Sequence, residues 1–136
     1  MLSLPVECFP LTTDSWSMIE NITSAENTIM GSELMMFQYT IPASGLKFNI
    51  KDLNDKKNSA LKFWISLKPN GSAIPWNNYH HQNLTVAGIN YFIKNPLNND
   101  DDIKAYRNWN LLPNTYWFNI LNCENSTRKW QFVVET

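Results

Sequence analysis

The stretch Leu111-Leu112-Pro113-Asn114-Thr115-Tyr116-Trp117-Phe118-Asn119-Ile120-Leu121-Asn122 decides the fold. Pro113 fixes φ and Asn114 tolerates turn geometry, so a strand starts sharply after the pair. In an extended chain Tyr116, Phe118 and Ile120 share one face, and Trp117, Asn119 and Leu121 share the other. A strand that is apolar on both faces belongs in the middle of a sheet, with something packed on each side. Trp117 is therefore expected under an arm, a loop or a partner chain, and an exposed Trp117 would mark an interface.

Outward from that strand, the pattern of alternation repeats. Residues 45–53 place Leu46, Phe48 and Ile50 inward, with Lys47, Asn49 and Lys51 outward. Residues 61–67 place Leu61, Phe63, Ile65 and Leu67 inward, with Lys62, Trp64 and Ser66 outward. Residues 89–94 set Ile89, Tyr91 and Ile93 against Asn90, Phe92 and Lys94, and residues 129–134 set Trp130, Phe132 and Val134 on one face. Half-buried antiparallel strands read this way. Shorter apolar runs at 6–9, 28–30, 34–41 and 84–86 add strands, and 103–109 is ambiguous. Residues 11–27 read as an irregular arm, or as one helical turn capped by Asp14. Turn clusters at Pro42-Ala43-Ser44-Gly45 and Pro69-Asn70-Gly71-Ser72 separate the runs. The expected fold is an all-β, antiparallel, jelly-roll-like sandwich of eight or nine short strands. It forms one domain over 1–136, with residues 1–30 as an attachment arm.

The chain has 136 residues, 11 basic against 12 acidic, and a net charge of −1. That balance excludes the basic stripe of a nucleic-acid binder. No apolar run is long enough to span a membrane as a helix. The first residues lack a charged, apolar leader, so the expected place of synthesis is a cytoplasm. Nineteen asparagines against three glutamines mark a loop-rich chain, since Asn suits turns better than strand or helix interiors. The four N-x-[ST] sequons, at Asn21, Asn70, Asn83 and Asn125, read as chance in so Asn-rich a chain. Cys8 and Cys123 read as two free buried thiols, with a disulfide tying the first strand to a late one as the alternative.

Few residues carry recognisable chemistry. His80 and His81 are adjacent, so on an extended chain they point apart and read as loop histidines. Asn98-Asn99-Asp100-Asp101-Asp102 offers oxygen ligands of the kind calcium takes, but without EF-hand spacing, and reads as a solvated loop. No paired carboxylates, nucleophile constellation, metal motif or cofactor motif is present, and an enzyme is not expected. What remains is aromatic. Trp16, Trp64, Trp76, Tyr79, Tyr106, Trp109 and Trp117 fall in irregular or outward positions. They fit the centre of a protein–protein interface, a sugar-stacking platform flanked by Asn and Asp, or plain packing.

One resemblance follows from the order of signals. Pro42-Ala43-Ser44-Gly45 closes a strand, and Phe63-Trp64-Ile65-Ser66 runs into Pro69-Asn70-Gly71. Leu112-Pro113-Asn114-Thr115-Tyr116-Trp117-Phe118-Asn119-Ile120 comes late, before Trp130-Gln131-Phe132-Val133-Val134. Residues 34–134 thus resemble the bacterial pre-peptidase C-terminal-like β-sandwich. They also look like small β-sandwich proteins encoded beside the structural genes of tailed bacteriophages. Asn114 stands where the family pattern has glycine, and Asn reaches the same left-handed geometry at modest cost. The resemblance implies a non-catalytic module: a structural or accessory virion protein associated with a capsid, tail or fibre. Its implied partners are other virion proteins or copies of itself, a trimer among the arrangements. The alternative is a carbohydrate-binding or adhesin module that uses Trp64, Trp76, Tyr79 and Trp109 on a host-surface glycan.

Overall fold

A computed structural model of the chain describes residues 16–54, 61–69, 82–85, 87–98 and 101–135, with the backbone alone for Trp16, Gln82 and Asn83. Ten strands appear in this order: β1 (Trp16–Ile19), β2 (Asn27–Ile29), β3 (Leu34–Ile41), β4 (Leu46–Asp52), β5 (Leu61–Ser66), β6 (Gln82–Asn83), β7 (Ile89–Lys94), β8 (Arg107–Asn110), β9 (Asn114–Asn122) and β10 (Arg128–Val134). They build two five-stranded sheets, ordered β1-β3-β9-β5-β6 and β2-β10-β4-β7-β8. Only β5–β6 and β7–β8 are both consecutive in the chain and adjacent in a sheet. Every other connection crosses between sheets. The result is the expected all-β sandwich.

The departures from the sequence reading lie at its edges. Trp16–Ile19, which reads as an irregular arm, is a strand paired in parallel with Leu34–Phe37 of β3. Asn27–Ile29 pairs with Arg128–Trp130 of β10. Residues 16–19 and 27–29 are thus built into the two sheets, and residues 1–15 of the expected arm lie outside the described residues. The ambiguous run 103–109 ends in β8, which lies parallel to β7. These two parallel edges explain why the count exceeds eight or nine and why the sheets are not purely antiparallel. Residues 6–9 lie outside the described residues.

The quoted stretch behaves as its pattern predicts. β9 is the middle strand of its sheet, with β3 and β5 antiparallel on either side. Its inward residues Tyr116, Phe118 and Ile120 are buried in the main core. That core is aromatic: the Phe48 ring lies 5.0 Å from Tyr91, 5.2 Å from Phe132, 5.6 Å from Phe118 and 6.0 Å from Phe63. Trp109 stacks on Phe63 and touches Tyr91 at 4.7 Å between centroids. Ring pairs at these separations add to the hydrophobic term.

The outer face of the same sheet is dry as well. Leu34, Met36, Trp64 and Leu121 form a second buried cluster, with Trp117 and Cys123 packed against it. Between them, fully buried Asn119 donates its amide to the Ser66 hydroxyl at 3.0 Å and to the carbonyls of Trp64 and Trp117, each at 3.3 Å. Trp64 and Ser66, which alternation places on a wet face, are buried there. Leu67, expected inward, is 61% exposed. It follows the last residue of β5, where the strand period no longer constrains it.

Candidate binding surface

Strand register places several loops at one end of the sandwich. β3 ends at Ile41 opposite Asn114, the first residue of β9. β4 starts at Leu46 opposite Ile93, and β8 ends at Asn110 opposite Lys94. Ser66, the last residue of β5, pairs with Trp117, and Val134 of β10 pairs with Phe48. Loops 42–45, 67–69, 95–98 and 111–113 therefore share this end. All four prolines among the described residues lie in them: Pro42, Pro69, Pro96 and Pro113, each exposed. So do three large exposed apolar side chains: Leu67 (61%), Leu97 (76%) and Leu112 (53%).

Asparagine and tyrosine side chains brace these loops. Asn95, itself buried, donates to the Ala43 carbonyl at 3.1 Å and accepts from the Leu97 N–H at 3.0 Å. Asn98 donates to the same Ala43 carbonyl at 2.9 Å. The Tyr116 hydroxyl donates back to the Leu112 carbonyl at 2.6 Å, the tie known as a tyrosine corner. Burial of Tyr116 raises its pKa. Asn108 clamps the 103–106 turn through the N–H and carbonyl of Ile103 and the carbonyl of Tyr106. The asparagine excess, legible only as loop richness, thus has a structural use: side-chain amides replace missing backbone partners. Asn95 and Asn98 thus tie the Leu97 loop to the 42–45 turn, and Tyr116 ties the Leu112 loop to β9.

Beside this end lies a cleft of about 530 Å³, lined by Tyr39, Thr40, Leu46, Lys47, Val134 and Glu135 among others. Glu135 accepts a hydrogen bond from the Tyr106 hydroxyl at 2.5 Å, which is the main reason that the Tyr106 pKa is raised. The Lys47 ammonium sits 5.4 Å from the Phe92 ring centroid and 5.8 Å from that of Tyr106, within cation–π range.

Of the aromatic residues singled out from sequence, Trp64 and Trp117 meet in the outer-face cluster, and Trp109 lies apart from them in the main core. Trp109 is fully buried in the core and Trp64 is 5% exposed in the outer-face cluster, so neither can stack on a sugar. Trp117 is half-buried against that cluster. Trp16 lies in β1, and Trp76, Tyr79, His80 and His81 lie outside the described residues. In the aspartate-rich loop, Asp102 forms an ion pair with the nearly buried Lys94, and Asp100 lies outside the described residues. Among the described residues no three His, Cys, Asp or Glu side chains are grouped to hold a metal. No described helix is long and apolar enough to cross a membrane. Cys123 is disulfide-bonded, which corrects the expectation of two free thiols; the chain's other cysteine, Cys8, lies outside the described residues.

No protein-family model matches the chain, and no curated protein matches it. Among solved structures, it is similar to the pre-peptidase C-terminal domain of a collagenase from Bacillus anthracis. That likeness is 13% identical with a TM-score of 0.41, and covers 90% of this chain and 97% of that one. It is also similar to PliG of Aeromonas hydrophila, a periplasmic inhibitor of g-type lysozyme. Here identity is 8% and the TM-score 0.40, over 89% of this chain and 98% of that one.

Proposed function

We propose that this chain is a non-enzymatic accessory module that binds other proteins through the proline-braced, leucine-tipped end of its sandwich, as a component of an extracellular assembly. The observation that carries the reading is the presence of Leu67, Leu97 and Leu112, all exposed, on three loops at one end that each carry an exposed proline, Pro69, Pro96 and Pro113. Exposed apolar groups on pre-set loops bind at low entropic cost. The disulfide at Cys123 supports an oxidising setting, such as a secreted protein or a virion surface. The virion of a tailed bacteriophage is the assembly that the sequence resemblance implies, with other virion proteins or further copies of this chain as partners.

Density-gradient particles from the medium of a producing culture test this. The chain should co-purify with them. The pair Leu97→Asp and Leu112→Asp should strip it from the particles while leaving its unfolding transition in place. Confinement of the chain to free, monomeric fractions would overturn the proposal.

A further inference from the structure

We infer that residues 1–9 of this chain cover the outer face of the β3-β9-β5 sheet, latched there by a disulfide between Cys8 and Cys123 whose reduction bares that face. The starting observation is a buried face with no described layer above it. Leu34, Met36, Trp64 and Leu121 lie on the side of the sheet away from the main core, and none is more than 5% exposed. Burial extends to Lys62, which sits opposite Leu121 on the same face and has its pKa lowered by desolvation. All ten described strands belong to the two sheets, so none of them lies over this face.

The cysteines identify the occupant. Cys123 packs against the cluster and lies two residues past Leu121, on the same side of the chain. It is disulfide-bonded, and Cys8 is the chain's only other cysteine. The distances allow the bond. Trp16, Leu34 and Leu121 form one row across β1, β3 and β9. Two strand spacings across and two residues along put Trp16 and Cys123 about 12 Å apart. The chain from position 8 to position 16 reaches about 26 Å when extended, more than enough. The segment also has the right pattern. Leu2, Leu4, Val6 and Cys8 share one face of an extended chain, with Ser3, Pro5 and Glu7 on the other. Pro5 has no N–H to give a ladder, which suits a segment laid across a face better than one inside a sheet. Other parts of the chain fit less well. Residues 55–60 carry no large apolar side chain, and residues 70–81 follow β5 at the end away from Cys123.

The bond makes the cover redox-dependent. A dithiol reductant gives up two electrons and two protons, becomes a disulfide itself, and leaves Cys8 and Cys123 as thiols. The cover stays shut in an oxidising setting and is released in a reducing compartment.

Proteolysis of the unreduced full chain with mass spectrometry should give one peptide pair, joined through Cys8 and Cys123 of the same chain. Disulfide-linked dimers would overturn the inference. In the oxidised protein the methyl groups of Leu2, Leu4 and Val6 should give nuclear Overhauser effects to Leu34, Met36, Leu121 or the Trp64 ring. Effects from Ile74 or Trp76 to that cluster, with none from Leu2, Leu4 or Val6, would assign the face to residues 70–81 instead. Dithiothreitol should abolish the contacts of residues 2–6 and raise binding of the apolar dye ANS severalfold, with far-ultraviolet circular dichroism retained. If reduction unfolds the chain, the triple variant Leu2→Ser, Leu4→Ser, Val6→Ser, with its disulfide intact, carries the test and should bind the dye to the same extent. No rise in dye binding in the triple variant, or on reduction of a chain that stays folded, would overturn the inference. The leucine-bearing end is untouched by these changes, so the proposed function stands or falls separately.

Discussion

Arg128 and Asp52, each with no solvent exposure, form an ion pair between β10 and β4 at the end of the sandwich opposite the leucine-bearing loops. Arg128 also binds the Glu124 carboxylate at 2.6 Å. Burial alone would lower the arginine pKa, but the hydrogen bonds and charges of the two carboxylates outweigh it and raise the pKa. A buried pair of this kind is weak evidence of net stability, yet removing one member is severe. Asp52→Ala should therefore destabilise the fold by about 3–5 kcal/mol in urea unfolding. A loss below about 1 kcal/mol would mean that Glu124 alone satisfies the guanidinium.

The Tyr116–Leu112 tie makes a separable prediction. Tyr116→Phe keeps the ring in the core and removes only the hydroxyl. The expected loss is about 1 kcal/mol, with faster amide exchange in residues 111–114 than elsewhere in the sandwich. Uniform exchange across the sheets would show that the hydroxyl does not hold the loop.

Gly31 tests close backbone approach. A Cβ there would lie 2.3 Å from the carbonyl oxygen of Asn125 and 2.9 Å from its Cα, and main chain cannot swing aside as a side chain does. Gly31→Ala should cost about 1–3 kcal/mol, the usual range for forced overpacking. Thermal unfolding of the variant at neutral pH reads this directly.

Alkaline pH should unfold the protein partly through Tyr91. Burial raises its pKa, the Arg107 charge opposes this, and the hydroxyl has no hydrogen-bond partner among the described residues. The folded state holds the proton more tightly, so this contribution is complete below pH about 10, the ordinary tyrosine value. It is lost as the pH rises further, because the unfolded chain ionises first. Tyr91→Phe should flatten the fall in stability above that pH. At pH 7 it should be neutral or stabilising, since it deletes an unsatisfied buried hydroxyl. A pronounced loss at pH 7 would contradict this account.

Cys123 supplies the redox prediction. Without reductant the chain should react with less than one equivalent of a thiol-directed chromophore, and reduction should lower stability by about 2–4 kcal/mol. Full thiol reactivity in the folded, unreduced protein would remove the oxidising-compartment argument.

The stretch from Leu111 to Asn122 determined more than any other, because side-chain alternation is local: residues two apart share a face whatever the rest of the chain does. That was enough to place β9 centrally, to sort the inward residues of β4, β7 and β10, and to predict a sandwich. Alternation could not say which strands meet. The parallel edges β1–β3 and β7–β8, the burial of Trp64 on the second face, and the meeting of Arg128 with Asp52, 76 residues away, depend on long-range pairing. The candidate surface was hidden for the same reason. Pro42, Pro69 and Pro113 each read as a separate turn, and Leu67 as an inward strand residue. Only the crossing of the chain between two sheets brings those turns to one end, where exposed leucines on stiffened loops become a surface instead of scattered punctuation.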